Sequence, residues 1–438
     1  MIEPLGYTGP AAALDAYAAT GKAQAQMYHF RTACRLCGGP LATILRLSDT
    51  PPANELVTAE FVASGVQQDT FPLILAQCQA CEHVQLQTVV DPSRMFSEYS
   101  YVSGTSPVFR KHLRGLADEL ANRLSPGDLL VEIGSNDGTL LGMFDGLGVR
   151  VLGVDPARNL AEKATAGGVL TYPGFFDAST ADAIARSSGK AKIVVALNVL
   201  AHADGLGEIF AGAHRLLADD GELVLEVAYL PDMLRDGTFD LIYCEHVAFW
   251  HLKPLARFLS AHGFALYDAE HVDSQGGSIR CYARKWSGSP VGNTERLSEM
   301  LLAEETTVNA DTIRAFCWKI DEAKIALGTM LRDMKAQGKK IAAFGCPAKA
   351  TTLLHHFNIG RGTIVYIVEE NPLKVGKFSP GKFIPIVGVE KFKAEPPDVC
   401  VMLAWNFSAN IIERHGWFQG DWLVPLPLPK IQKGSAST

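Results

Sequence analysis

The stretch "VEIGSNDGTLL", residues 131–141, runs from an apolar segment into a turn carrying two glycines. With "DLL" before it, the apolar part reads as a buried strand, and Gly134 and Gly138 let the backbone turn sharply and come close to a ligand. A helix is expected after the turn, with free N–H groups at its start. Working outward, "VRVLGVDP" (149–156) is a second strand ending in Asp155. "KIVVALNVLAHADGL" (192–206) is a third with a polar tip, and "GELVLEVAYL" (221–230) a fourth. Upstream, residues 107–125 place apolar side chains at helical spacing and stop at Pro-Gly. Strands alternating with helices imply an α/β fold whose parallel sheet is covered on both faces.

The turn chemistry selects a ligand. A dinucleotide loop reads G-x-G-x-x-G, but here Asn136 and Asp137 occupy the middle, and Asp137 would repel a pyrophosphate. The pattern suits a ligand without phosphate and with a cationic centre; S-adenosylmethionine, with its ammonium and sulfonium, is one. Glu132 ends the strand, and Asp155 is placed to accept from both ribose hydroxyls. Glu132, Gly134, Asn136, Asp137, Gly138, Asp155 and Asn198 are the expected cofactor-binding residues.

"CRLC" (34–37) and "CQAC" (78–81) bracket a turn-rich region. Each Cys-x-x-Cys turn aims two thiolates at one centre, and two such knuckles complete tetrahedral zinc. Cys34, Cys37, Cys78 and Cys81 leave no position for catalysis, so the metal is expected to be structural and to drive the folding of a loop-rich segment. A chain of 438 residues suggests two or three domains. Its net charge of −7 argues against a nucleic-acid partner. No apolar run is long enough to span a membrane. The first residues lack a basic region followed by an apolar core, so no secretory signal is read. Metal-spaced cysteines favour a reducing cytoplasm.

Other segments converge on the carboxyl ends of the strands, where open α/β sheets bind ligands. Asn198 sits at the third strand's tip, and His202 is expected one helical turn on. "IYCEHVAFW" (242–250) holds Tyr243, Glu245 and His246 after the fourth strand, too irregularly spaced for one strand face and therefore a loop. His246 is the expected general base. Glu245 is expected to orient its ring, and Tyr243 to donate to a developing enolate oxygen. Tyr99 and Tyr101, in "SEYSYVSGTSPVF" (97–109), are placed to cross a pocket mouth. "FGCPAKATTLLHHF" (344–357) repeats a strand–glycine–helix turn; Gly345, Pro347 and Lys349 read as an anion site for a pyrophosphate.

In this order "CRLC…CQAC", "EIGSNDGTLL", "NVLAH", "IYCEH", "GGSIR" and "PAKATTLL" resemble the S-adenosylmethionine-dependent sugar C-methyltransferases acting on dTDP-4-keto-deoxy-hexoses. The resemblance implies a zinc-binding N-terminal domain, a central class I methyltransferase domain and a C-terminal Rossmann-like domain. Mapped here, these are a leader (1–30), a zinc-binding domain (31–95), a methyltransferase domain (96–290), a helical connector (291–336) and an α/β nucleotide-sugar-binding domain (337–430). It implies that the four cysteines hold zinc and that His246 is the base. It also implies that Tyr243, Glu245, Asn198, His202 and one of Tyr99 and Tyr101 share the active site. The departures are "VAFWH" after His246, where the family has Phe-Ser-Tyr, and Gln275 where it has His before Gly-Gly-Ser. The expected reaction is C-methylation beside the ketone of a nucleotide-linked sugar in deoxysugar biosynthesis, by a monomer or small homo-oligomer. The alternatives are methylation of another carbon or oxygen acceptor, or a zinc-stabilised nucleotide-sugar-binding protein without catalysis.

Overall fold

The computed structural model describes residues 27–96, 102–274, 276–286, 288 and 292–433. Most of the expected leader, Tyr99, Tyr101 and Gln275 lie outside these residues. Strand β1 (Tyr28–Phe30) pairs antiparallel with β5 (Thr88–Val90). Strands β2 (Leu41–Thr50), β3 (Phe71–Cys78) and β4 (Val84–Leu86) form an antiparallel meander. The loop-rich segment expected here is therefore a sheet with a buried apolar face that includes Phe71, Leu73, Leu75, Val84 and Leu86. Nearly all of β3 and all of β4 is buried, so the polar alternation that marks a half-exposed strand is missing from the sequence.

The central sheet has seven strands. Five are parallel: β6 (Leu129–Ile133), β7 (Arg150–Asp155), β8 (Thr171–Pro173), β9 (Ala191–Leu197) and β10 (Leu217–Ala228). Beyond β10, the two-residue β11 (Ala248–Phe249) leaves this sheet altogether and pairs with β4. Strands β12 (Phe264–Val272) and β13 (Ser278–Lys285) return to it, giving the order β12-β13-β10-β9-β6-β7-β8. Both are antiparallel to their neighbours, a departure from the expected all-parallel sheet. Only residues 273–277 join them, too few for a crossover to a parallel strand. Apolar clusters cover both faces. The helix expected after the glycine turn is absent: residues 141–144 make one 3-10 turn, and Gly146 and Gly148 at positive φ follow it.

Helices Glu295–Thr307 and Ala310–Ala336 lead to a six-stranded sheet. Its strands are β14 (Ile341–Phe344), β15 (Ile367–Val368), β16 (Ile386–Val387), β17 (Val399–Met402), β18 (Asp421–Val424) and β19 (Lys430–Lys433). The order β16-β15-β14-β17-β18-β19 is the doubly wound one, and its direction reverses between β14 and β17. One apolar cluster runs from the N-terminal sheet through Leu230, Phe239, Ile242 and the long helix into this sheet. The domains thus share a core around the segment that follows β10. No helix among the described residues is long and apolar enough to cross a membrane.

Candidate functional site

The four expected zinc ligands come together. All their sulfurs lie within 4.8 Å of one another, with Cys34–Cys81 at 3.6 Å and Cys37–Cys78 at 3.5 Å. Zn–S bonds of about 2.3 Å in a tetrahedron need edges of about 3.8 Å, so the set fits zinc. The Cys34 and Cys81 thiols share one interaction that draws Cys34 down and pushes Cys81 up, and zinc ligation would take both as thiolates. Arg31 and Arg35, beside and inside the first knuckle, reach out of it. Arg31 Nε donates to Asp204 at 2.5 Å, and buried Arg35 donates to the Leu86 carbonyl at 2.8 Å with Asp204 at 3.7 Å. Asp204 ends the turn carrying Asn198 and His202, so the knuckle braces the loop that holds these two expected site residues.

At the tip of β6, Gly134, Asn136 and Gly138 all take positive φ. Asp155 staples this turn: its carboxylate accepts from the amides of Asn136 at 2.7 Å and Ala157 at 2.8 Å. Its remaining lone pairs are what ribose hydroxyls would use. Ser103 N donates to the Asn136 side chain at 2.9 Å, and Thr139 to Asp137 at 2.6 Å. Glu132 is buried, and among the described residues its Oε2 has no hydrogen-bond partner. Burial, with Asp155 and Asp137 nearby, pushes its carboxyl well above the usual range. A buried acid with an orphan oxygen beside two more carboxylates calls for a cation, so the donor set fits S-adenosylmethionine.

Asn198 caps β9 in the left-handed region, φ 57°, its amide donating to the Glu226 carbonyl at 2.7 Å. His202 follows on a turn, not the expected helix; its amide bonds Val199 O, and the helix begins only at Leu206. The Ala201 carbonyl accepts from the Val247 amide at 2.7 Å, tying this turn to the segment holding His246. The His202 and His246 rings meet edge to face, centroids 4.8 Å apart.

Both nitrogens of His246 are engaged: Nδ1 lies 2.8 Å from the Leu241 carbonyl and Nε2 2.8 Å from the Tyr243 hydroxyl. A carbonyl only accepts, so Nδ1 carries the proton and Nε2 the lone pair. Burial lowers the imidazole to about 4, leaving it neutral at neutral pH. Leu241, not Glu245, therefore sets the ring. Glu245 is instead gripped by Asn54 of the N-terminal domain, whose Nδ2 lies 2.9 and 3.2 Å from its two oxygens. Asn54 had no signal in the sequence.

Gly345 packs against Ala404 so closely that a Cβ would lie 2.6 Å from that methyl. Pro347 opens the turn before helix Ala350–His356. Lys349 is not the free cation expected. It is buried, bonds Asn406, lies 3.7 Å from Asp240 and stacks 4.1 Å over the Trp405 ring. Asp240 is wholly buried one residue before Leu241, and this counter-charge already occupies the ammonium.

A class I methyltransferase core, flanked by a zinc-binding domain and a doubly wound C-terminal domain, defines the class. Family models agree: a zinc binding domain matches residues 34–96, a methyltransferase domain 109–269, and a C-methyltransferase C-terminal domain 273–427. C-methyltransferase NovU of Streptomyces niveus is 34% identical over 406 residues, covering 91% of this chain and 96% of that protein. The chain belongs to this C-methyltransferase family and is an S-adenosylmethionine-dependent C-methyltransferase with a structural zinc site. Two solved structures share partial likeness. Magnesium protoporphyrin IX methyltransferase from Synechocystis PCC 6803, with bound S-adenosylmethionine, is 17% identical over 40% of this chain and 79% of that one, TM-score 0.31. The CcbJ methyltransferase from Streptomyces caelestis is 15% identical over 44% and 97%, TM-score 0.33.

Proposed function

We propose that the acceptor is a nucleotide-linked 4-keto-deoxy sugar, carried on dTDP, and that His246 removes the proton from the carbon beside its ketone. The observation that carries this reading is the buried imidazole whose tautomer leaves Nε2 without a proton, its lone pair accepting from a phenol. S-adenosylmethionine, when bound, supplies an electrophilic methyl group. Glu132 and Asp155 hold its cationic and ribose ends, and Gly134, Asn136, Asp137 and Gly138 shape the turn against it. His246 is a weak base because it is buried, so proton abstraction depends on donors that stabilise the enolate. The Tyr243 hydroxyl occupies Nε2 in the resting site. When the acceptor carbon takes that place, the same O–H is released toward the ketone oxygen. His202 and Asn198 stand as further donors, and Tyr99 and Tyr101 are retained as candidates from the segment before Ser103. The nucleotide is assigned to the C-terminal domain, at the carboxyl ends of its parallel strands.

The test incubates the enzyme with S-adenosylmethionine and a panel of nucleotide 4-keto sugars, with mass spectrometry for one added methylene. His246→Asn is expected to abolish both turnover and donor-independent deuterium exchange at the acceptor carbon, with donor binding intact. Turnover without exchange at that carbon points to an oxygen acceptor and sinks the carbon-acid reading.

A further inference from the structure

Three consecutive residues, 240–242, hold the base in place, and each has a different anchor. The Asp240 carboxylate accepts from Trp405 Nε1 at 2.7 Å and pairs with Lys349. The Leu241 carbonyl accepts from His246. The Ile242 carbonyl accepts from the Thr352 hydroxyl at 2.8 Å. The carbonyl that fixes the tautomer of His246 is therefore suspended between two attachments to the C-terminal domain. Asp240, Lys349 and Thr352 are all buried, and Lys349 packs its ammonium on the Trp405 ring, so these contacts are screened from water. Trp405 and Asn406 belong to the turn at the end of β17, beside the switch point of the C-terminal sheet. Lys349 belongs to the turn after β14, on the other side of that switch point.

We propose that Asp240 is a positioning residue: through Lys349 and Trp405 it lets the C-terminal domain set where the Leu241 carbonyl holds the His246 ring. This rests on His246 being the base, but the geometry it asserts can be read without turnover. Lys349 thereby takes a role different from anion binding. It is the counter-ion of a buried carboxylate, and the domain assigned to the nucleotide gains a direct mechanical hold on the base.

The experiment uses full-length, zinc-loaded enzyme labelled with 15N-histidine, with H246N to assign the resonance. In the wild type, His246 should be neutral and protonated on Nδ1 at pH 6. In D240N the ring should become a mixture with the Nε2–H tautomer, and deuterium exchange at the carbon of whichever panel sugar turns over should slow by about tenfold or more, the scale of a misplaced catalytic group. Calorimetric affinity for S-adenosylmethionine should stay within about twofold, because the Asp240 carboxylate is held by Trp405 and Lys349 of the C-terminal domain. K349M should be worse than D240N/K349M, since it leaves a buried carboxylate without its counter-charge. W405F leaves a smaller aromatic face for Lys349 and removes the N–H donor to Asp240, and should shift the tautomer in the same direction, more weakly. An unchanged tautomer in D240N and W405F overturns the proposal, as does parallel loss of donor binding and exchange, which would mark a folding role. If H246N still exchanges, the base assignment falls, while the tautomer measurement still decides whether Asp240 positions the ring.

Discussion

Gly134→Ala tests whether the glycine turn at the tip of β6 is as tightly built as it looks. Gly134 has φ +70°, a left-handed conformation that costs an L-residue about 1–2 kcal/mol. An added Cβ would lie 2.3 Å from Cγ2 of Val199, where carbon contacts need about 3.5–4.0 Å. Overpacking of this kind costs about 1–3 kcal/mol, so the combined strain is about 2–5 kcal/mol. Val199 sits next to Asn198, itself at positive φ, and its carbonyl caps the turn of His202. Relief by backbone movement would therefore displace the donor turn and the His202 turn together. The expected result is an affinity for S-adenosylmethionine weakened about 30-fold or more, taking the lower end of that strain, measured by calorimetry. Val199→Ala removes the colliding methyl and should restore most of the affinity to the double variant, leaving the backbone share of about 1–2 kcal/mol. A G134A enzyme with wild-type affinity and melting temperature would refute the reasoning. So would a double variant no better than G134A, since the collision would then not be the cause.

Three shorter predictions follow from the same geometry. Purified enzyme should carry one zinc per chain by elemental analysis. C34S should lose it, and turnover should fall before the central domain melts, because Arg31 and Arg35 no longer brace Asp204. Tyr243→Phe should reduce turnover by about 10²–10³, the scale for losing an oxyanion donor, with donor affinity unchanged; full activity would remove Tyr243 from the mechanism. Stability should fall on acidification through His83 and His251, both fully buried and held neutral by burial, His251 at about 3. Their folded pKa values lie below the ordinary 6.5, so the unfolded chain binds protons first. The stabilisation is complete above about pH 6.5 and shrinks toward pH 3, by up to about 1.4 kcal/mol per pH unit per histidine. Denaturant midpoints at pH 7 and pH 5, for wild type and His251→Gln, read it directly; a midpoint insensitive to pH in that range contradicts it.

The sequence exposed features in which neighbouring residues act on one another. The cysteine knuckles, the glycine turn with Asp155, and the Tyr243–His246 pair are all local, and each lies together in the structure. The partners that complete the site were hidden because they come from far along the chain. Asn54 meets Glu245 and Asp240 meets Lys349 only through the packing of three domains. The Leu241 carbonyl, which sets the tautomer of His246, is backbone and leaves no mark in residue type. The reading of Lys349 as a free cation failed for the same reason: its loop contains no acid, but Asp240 arrives from another domain. The missing helix after Gly138 is a different kind of error. "DGLG" at 145–148 is a breaker already visible in the sequence.

The two-residue strand β11 bears on how such an enzyme can be rearranged. It lies between β10 and β12 of the methyltransferase sheet, yet it completes the edge of the zinc-binding sheet beside β4. A fragment cut at about residue 95 would present the bare edge of β4, open to pairing with another chain. Exchanging the zinc-binding unit between relatives would mismatch that seam unless residues 240–251 travelled with it. Those residues carry Asp240, Tyr243, Glu245 and His246. An exchange that kept this seam intact would therefore carry the candidate site residues along with the zinc-binding unit, as a piece discontinuous in sequence.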